Sequence, residues 1–132
     1  MKKIKVVTAK IGLDDHYRGI ISVTDALHKA GMEVIYLGAG QRIDGVINAI
    51  VQEDADAVGL SFLCGGHVEI MRKFMEKLKE NNLNNILVII GGIIHPQEIP
   101  ELKEMGVGEV FLPGTLTKDI ATFVKQKAQS AI

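Results

Sequence analysis

Five short apolar runs, separated by longer amphipathic segments, constrain the fold of this chain more than any other feature of its sequence. The runs lie at 4–8, 34–37, 57–62, 86–90 and 109–112, and several are rich in β-branched residues. They are nearly continuous and lack the polar–apolar alternation of a strand with one solvated face. Each run therefore predicts a strand that is buried on both faces, as in a parallel sheet.

The segments between these runs predict helices. In the segment 43–51, apolar residues recur at i, i+3, i+4, i+7 and i+8, which places them on one helical face. A similar stripe runs through 68–78, and less regular ones run through 18–30 and 115–127. Gly31 stands where a helix-ending glycine belongs. A further short helix is predicted from near Pro100 to Gly106.

This alternation of five strands with about five helices predicts an α/β domain with a doubly wound parallel sheet. We expect the flavodoxin-like strand order 2-1-3-4-5, with helices on both faces of the sheet. The chain has 132 residues, which predicts a single domain over 1–132. Ligands of such domains bind at the carboxyl ends of the strands, so the loops there are the candidate site.

Composition excludes several other classes of protein. The 15 basic and 16 acidic residues give a net charge of −1, which argues against a nucleic-acid or anionic-membrane partner. The single cysteine, Cys64, rules out an intrachain disulfide and argues against a cysteine-based zinc site. No targeting or membrane-spanning segment is evident, so we expect a cytoplasmic protein.

The loop after the first predicted strand carries an aspartate two residues before a histidine, Asp14 and His16. It lacks both the G-x-G-x-x-G pattern of dinucleotide-binding turns and the P-loop pattern. An Asp-x-His pair can orient one imidazole nitrogen while the other binds a metal. Two alternatives remain open: the loop is simply polar, or Asp14 and Asp15 cap the following helix.

The loops after the third, fourth and fifth strands carry small and hydroxylated residues. Ser61 could offer a hydroxyl to a ligand, and Gly65 and the pair Gly91-Gly92 would let a ligand approach the backbone closely. Ordinary turns, with Ser61 bonded to backbone, would explain the same residues. Thr115 either caps the last helix or contacts a polar group of the ligand.

Together, these loops resemble the three-part signature of cobalamin-binding domains. The parts occur in the expected order, each after the expected strand: Asp14-x-His16-x-x-Gly19, Ser61-x-Leu63 and Gly91-Gly92. The resemblance covers nearly the whole chain and is to the cobalamin-binding domain of acyl-CoA mutases such as methylmalonyl-CoA mutase. The segments 91–97 and 111–115 favour that branch.

The resemblance implies a cobalt site in the first loop. His16 would replace the dimethylbenzimidazole of the cofactor as the lower cobalt ligand. Asp14 would accept a hydrogen bond from the other imidazole nitrogen, and Lys10 would extend that relay. Asp15 occupies the variable position between Asp14 and His16. A charge at that position is a mild departure from the pattern of the family.

The resemblance also implies a pocket for the nucleotide tail of the cofactor. Ser61 would hydrogen-bond the benzimidazole nitrogen, and the other members of the set would line the pocket or make room for it: Gly19, Leu63, Gly65, Gly91, Gly92, Gly114 and Thr115.

The implied function is that of a small subunit of an adenosylcobalamin-dependent mutase. The chain has too few residues for an additional eight-stranded barrel, so we expect a separate large subunit that binds the acyl-CoA. It should not turn over substrate alone. Four alternatives remain: a corrinoid carrier for methyl transfer, the small subunit of an amino-acid mutase such as glutamate mutase, a cobalamin sensor, or a flavodoxin-like module without cobalamin.

Overall fold

The computed structural model describes residues 3–11, 18–62 and 67–131, in which five strands alternate with helices. The strands are β1 (Lys5–Lys10), β2 (Glu33–Tyr36), β3 (Ala57–Phe62), β4 (Leu87–Gly92) and β5 (Glu109–Phe111). The helices are α1 (Arg18–Lys29), α2 (Ile43–Glu53), α3 (His67–Glu80), α4 (Ile99–Glu104) and α5 (Thr117–Ala131). None of the helices in this part of the chain combines the length and apolar character needed to cross a bilayer.

The strands form one parallel sheet in the order β2-β1-β3-β4-β5. The predicted flavodoxin-like order is therefore confirmed. The order reverses direction after β2, and β1 and β3 lie side by side at that point. In doubly wound sheets the carboxyl ends near this reversal are where ligands bind.

Helices cover both faces of the sheet. The larger core packs α2, α3 and α4 against one face, with Val58, Leu60 and Phe62 of β3 pointing into it. The smaller core packs α1 and α5 against the opposite face, where Ala57 of β3 belongs. Alternate residues of one strand thus serve opposite faces, as the pleat of a strand requires.

Most predicted element ends are close to the observed ones. Gly31 adopts a φ of 92° and its N–H donates to the His28 carbonyl at 3.0 Å, so it ends α1 as expected. The short helix predicted from near Pro100 begins at Ile99, as expected, and it follows a 3₁₀ turn, Pro96–Glu98, that was not predicted.

The fourth strand extends further than predicted. The sequence suggested that the Gly91-Gly92 pair follows the strand, whereas both glycines are inside β4 and pair with Ser61 and Phe62 of β3. Glycine is disfavoured in strand interiors, which is why its presence pointed to a loop.

Candidate functional site

A cleft of about 690 Å³ opens at the carboxyl ends of the strands, on the sheet face covered by α1 and α5. Its floor comes from β1, β3 and β4, and Phe111 of β5 closes one side. Ile20 and Val23 of α1 and Ile120 of α5 contribute the helical walls. The cleft therefore occupies the position that the fold class predicts for a ligand.

One row of neighbouring residues crosses the sheet beneath the mouth of the cleft. In the strand register, Lys10 pairs with Ser61, Ser61 with Gly91, and Gly91 with Phe111. All four line the cleft. The two central members are small and the two outer members are large, so the row forms a groove with raised sides.

The sides of this groove are fixed by neighbouring structure. The Phe111 ring packs edge-on against Phe123 of α5, with ring centroids 5.6 Å apart and planes at 79°. Lys10 is fully buried, its N–H donates to the Gly38 carbonyl at 3.0 Å, and its own carbonyl accepts the Gln41 N–H at 3.0 Å. The loop after β2 thus holds the end of β1 in place.

The deep end of the cleft is apolar. Gly59 of β3 and Ile89 of β4 line it two residue pairs below Ser61 and Gly91, on the same face of the sheet. Thr8, the β1 neighbour of Gly59, is fully buried. The Thr24 hydroxyl donates to the Ile20 carbonyl at 2.7 Å, so the Thr8 hydroxyl donates to Thr24 at 2.8 Å. The hydroxyl of Thr8, beside Gly59, therefore already has a protein partner.

The hydroxyl groups of the cleft differ in what they can still bind. Ser61 makes no hydrogen bond that the described part of the chain reveals, so its hydroxyl can either donate to a ligand or accept from one. The Thr115 hydroxyl donates to the Leu112 carbonyl at 2.8 Å and can only accept. Thr115 is not a helix cap, because α5 begins two residues later, at Thr117.

The four described glycines of the predicted set lie around the cleft for different reasons. A Cβ at Gly19 or Gly114 would meet nothing within 4 Å, so both border open space. A Cβ at Gly91 would lie 3.4 Å from the Phe111 carbonyl oxygen. At Gly92, with a φ of 132°, a Cβ would lie 1.7 Å from the Phe62 carbonyl oxygen, so the approach of β3 itself demands glycine there.

The structure brings together seven of the residues expected to bind a cofactor. They all line the cleft: Lys10, Gly19, Ser61, Gly91, Gly92, Gly114 and Thr115. The other five lie outside the described residues: Asp14, Asp15, His16, Leu63 and Gly65. The described part of the site therefore consists of the cleft and its mouth.

The sequence did not reveal the deep end of the cleft. Ile20, Val23, Ile89 and Ile120 look like ordinary core residues, since an apolar pocket wall and a core position share one pattern. Gly59 was the available signal, because a glycine inside a buried strand marks a close approach of backbone or ligand.

The geometry defines an α/β domain with a ligand cleft at the carboxyl edge of its sheet, and comparison with known proteins identifies its family. Residues 4–121 match the family model of the B12 binding domain. The chain therefore belongs to the B12-binding domain family.

Two relatives match most of this chain and most of their own length. The 2-hydroxyisobutanoyl-CoA mutase small subunit of Aquincola tertiaricarbonis is 38% identical over 112 residues, covering 85% of this chain and 82% of the relative. The pivalyl-CoA mutase small subunit of Xanthobacter autotrophicus is 38% identical over 130 residues, covering 98% and 87%. The recognised resemblance to acyl-CoA mutase domains is confirmed.

A solved structure shares the fold. A cobalamin-binding protein from Desulfitobacterium hafniense superposes with a TM-score of 0.82 at 24% identity, covering 96% of this chain and 60% of that one. At this identity the match supports the fold, whereas the family rests on the sequence comparisons.

Proposed function

We propose that this chain is the cobalamin-binding small subunit of an acyl-CoA mutase, an isomerase, and that it works with a separate large subunit. The observation that carries the proposal is the cleft at the carboxyl edge, whose central row of Ser61 and Gly91 belongs to a chain of the B12-binding family. Two relatives of matching length are themselves small subunits of CoA mutases.

The described residues fit the nucleotide tail of cobalamin. The tail ends in a flat bicyclic base, and the cleft is a groove with an apolar deep end between the sheet and two helices. Ser61, with its hydroxyl available, would bind a nitrogen of the base. Gly59 and Gly91 keep side chains out of the groove floor, so a planar group can lie against the strands.

The cobalt end of the cofactor is assigned to the loop before α1. We propose that His16 is the lower cobalt ligand, that Asp14 orients its imidazole, and that Lys10 supports this pair from the end of β1. A neutral imidazole is a suitable ligand, and a carboxylate partner fixes its tautomer and raises its basicity.

When bound, adenosylcobalamin supplies radical chemistry for a 1,2-rearrangement of the carbon skeleton. The tasks of this chain are to bind the cofactor, orient it and exclude water from its lower face. The acyl-CoA site belongs to a large subunit with a barrel fold, so the whole of 1–132 acts as one cofactor-binding domain in the cytoplasm. A chain that isomerised acyl-CoA by itself would contradict this division of tasks.

Methylmalonyl-CoA is the substrate that the sequence resemblance proposes. The two relatives of matching length are named for 2-hydroxyisobutanoyl-CoA and pivalyl-CoA, which widens the set to short branched acyl groups. The three thioesters should be assayed with this chain, adenosylcobalamin and each corresponding large subunit, with isomer formation followed by mass spectrometry. We expect turnover of one of them only when both subunits are present.

Spectroscopic titration tests cofactor binding and its ligation together. Wild type and His16→Ala should be titrated with adenosylcobalamin, and the electron spin resonance spectrum of bound cob(II)alamin should be recorded with ¹⁴N- and ¹⁵N-labelled protein. We expect tight binding by wild type and a superhyperfine pattern that changes with the isotope. His16→Ala should lose that pattern.

Other results would redirect the assignment. Binding without a protein nitrogen on cobalt would remove the role of His16 while keeping a cobalamin module. A marked preference for methylcobalamin and a methyl-transfer partner would favour the corrinoid carrier. An absence of binding, both alone and with a large subunit, would refute the proposal.

A further inference from the structure

We infer that Gly59 sets the depth of the cleft and thereby selects cobamides by the size of their lower base. This inference rests on the proposed function, because it concerns the cofactor tail that the cleft would hold. It adds a specificity residue that none of the three sequence motifs contains.

Gly59 lies directly beneath Ser61 on the same face of β3. Strand residues rise about 3.3 Å each, so Gly59 is about 6.6 Å deeper in the cleft than Ser61. Its neighbours in the sheet are Thr8 on β1 and Ile89 on β4, both with larger side chains. Gly59 therefore forms a notch between them in the floor of the cleft, below Ser61.

The protein itself does not require glycine at this position. A Cβ at Gly59 would lie 3.5 and 3.6 Å from Ile89 Cγ1 and Cδ1 and 3.7 Å from Thr8 Cγ2, all ordinary van der Waals contacts. This contrasts with Gly92, where a Cβ would overlap the Phe62 backbone. The space above Gly59 is thus left over by the fold and can be filled by a ligand.

The chemistry of the surroundings indicates which part of a base enters this notch. Ser61 would hold the imidazole nitrogen, so the opposite edge of the bicyclic base points toward Gly59. In dimethylbenzimidazole that edge carries two methyl groups, whereas unsubstituted benzimidazole carries only hydrogens. Ile20, Val23, Ile89 and Ile120 line the same cleft, and this apolar lining suits methyl groups and disfavours a polar substituent without a partner.

A methyl group added by the protein should therefore compete with methyl groups on the ligand. Gly59→Ala should be titrated with adenosylcobalamin, with its analogue that carries unsubstituted benzimidazole, and with adenosylcobinamide, which lacks the base altogether. Gly45→Ala is the matched control: Gly45 is in α2 outside the cleft lining, and its Cβ would meet only Gln41 Oε1 at 3.9 Å. Dissociation constants come from absorbance changes, and circular dichroism verifies folding.

We expect wild type to bind adenosylcobalamin more tightly than adenosylcobinamide. Gly59→Ala should weaken adenosylcobalamin binding by at least about tenfold and change the affinity for the benzimidazole analogue by less than about threefold. Its affinity for adenosylcobinamide should match that of wild type. Gly45→Ala should match the affinity of wild type for all three corrinoids.

Each alternative outcome overturns a specific statement. Equal losses for cobalamin and its unmethylated analogue, or no loss at all, would overturn the depth role of Gly59. Equal binding of adenosylcobinamide and adenosylcobalamin by wild type would show that the tail does not use the cleft, and would also overturn it. Failure of wild type to bind any of the three corrinoids, both alone and with a large subunit, would instead refute the proposed function.

Discussion

Gly91 and Gly92 are neighbours in sequence, yet their backbones are constrained differently. The left-handed φ of 132° at Gly92 and the contact of 1.7 Å that a Cβ would make with Phe62 are both incompatible with a side chain. Gly91 has neither problem, because its Cβ would lie 3.4 Å from the nearest atom, the Phe111 carbonyl oxygen. A single motif thus combines a glycine that the backbone needs with one that borders the cleft.

This difference predicts unequal effects of two alanine substitutions. We expect Gly92→Ala to reduce the free energy of unfolding by more than about 3 kcal/mol, since it combines backbone strain with a steric overlap. Gly91→Ala should cost less than about 1 kcal/mol, because its φ is ordinary and its contact is only close. Urea denaturation of both variants measures the difference, and equal losses would contradict this account of β4.

At the scale of elements, one ion pair joins α4 to β5. The Lys103 Nζ lies 3.0 Å from Glu109 Oε1, and the Val110 N–H donates to the same oxygen at 3.0 Å. Partial burial acts to raise the pKa of Glu109, but the hydrogen bonds from Lys103 and Val110 outweigh it and lower the pKa below its ordinary 4.5. Both partners favour the ionised carboxylate.

A lowered pKa in the folded state has a defined consequence for stability. The contribution is fully present above pH 4.5, the ordinary value, and is lost as the pH falls through the folded pKa. We expect Glu109→Gln to cost less than about 1 kcal/mol at neutral pH, because the pair is partly exposed. That cost should shrink as the pH is lowered below 4.5.

Urea denaturation at pH 7 and at about pH 3 measures this change in the cost of Glu109→Gln. Glu104→Gln is the control, since Glu104 is an exposed residue of α4. A cost of Glu109→Gln that is constant with pH would show that the carboxylate charge does not contribute.

Elements of this fold could be predicted from sequence because burial on two faces leaves a direct mark. The run 57–62 is nearly continuous in apolar and small residues, and it coincides with β3 residue for residue. The end of β4 could not be predicted, because glycine is unfavourable in strands. Gly92 is needed there because β3 approaches it closely, and Gly91 borders the cleft. The interpretation of Thr115 as a helix cap was wrong, because its hydroxyl donates to the Leu112 carbonyl and not to a group at the start of α5.

For the whole molecule, cofactor binding and folding should be linked. A ligand that binds only the folded chain stabilises it by about 2.7 kcal/mol when its free concentration is 100 times the dissociation constant. We therefore expect saturating adenosylcobalamin to raise the melting temperature by roughly 5–15 °C in scanning calorimetry. Adenosylcobinamide should raise it less, because it leaves the cleft between α1, α5 and the sheet unfilled.

An equal shift with both ligands would show that the cleft contributes nothing to this linkage.

The site as a whole could be predicted only in part from the sequence. Motif residues at the mouth, such as Ser61, are polar or small and stand out. Ile120, in the wall of the cleft, is indistinguishable from a core residue until the helices are in place.

Because alternate side chains of β3 point to opposite faces of the sheet, substitutions in this strand fall into two groups. Gly59 and Ser61 face the cleft, whereas Val58, Leu60 and Phe62 face the core beneath α2, α3 and α4. Under the proposed role of Gly59, substitutions at Gly59 and Ser61 would therefore alter which cobamide the protein accepts while the main core stays intact. Substitutions at Val58, Leu60 and Phe62 act first on the packing of that core, and Leu60 and Phe62 also border the cleft. The two faces of this six-residue strand thus expose its residues to different selection, one for the proposed cofactor preference and the other for core packing.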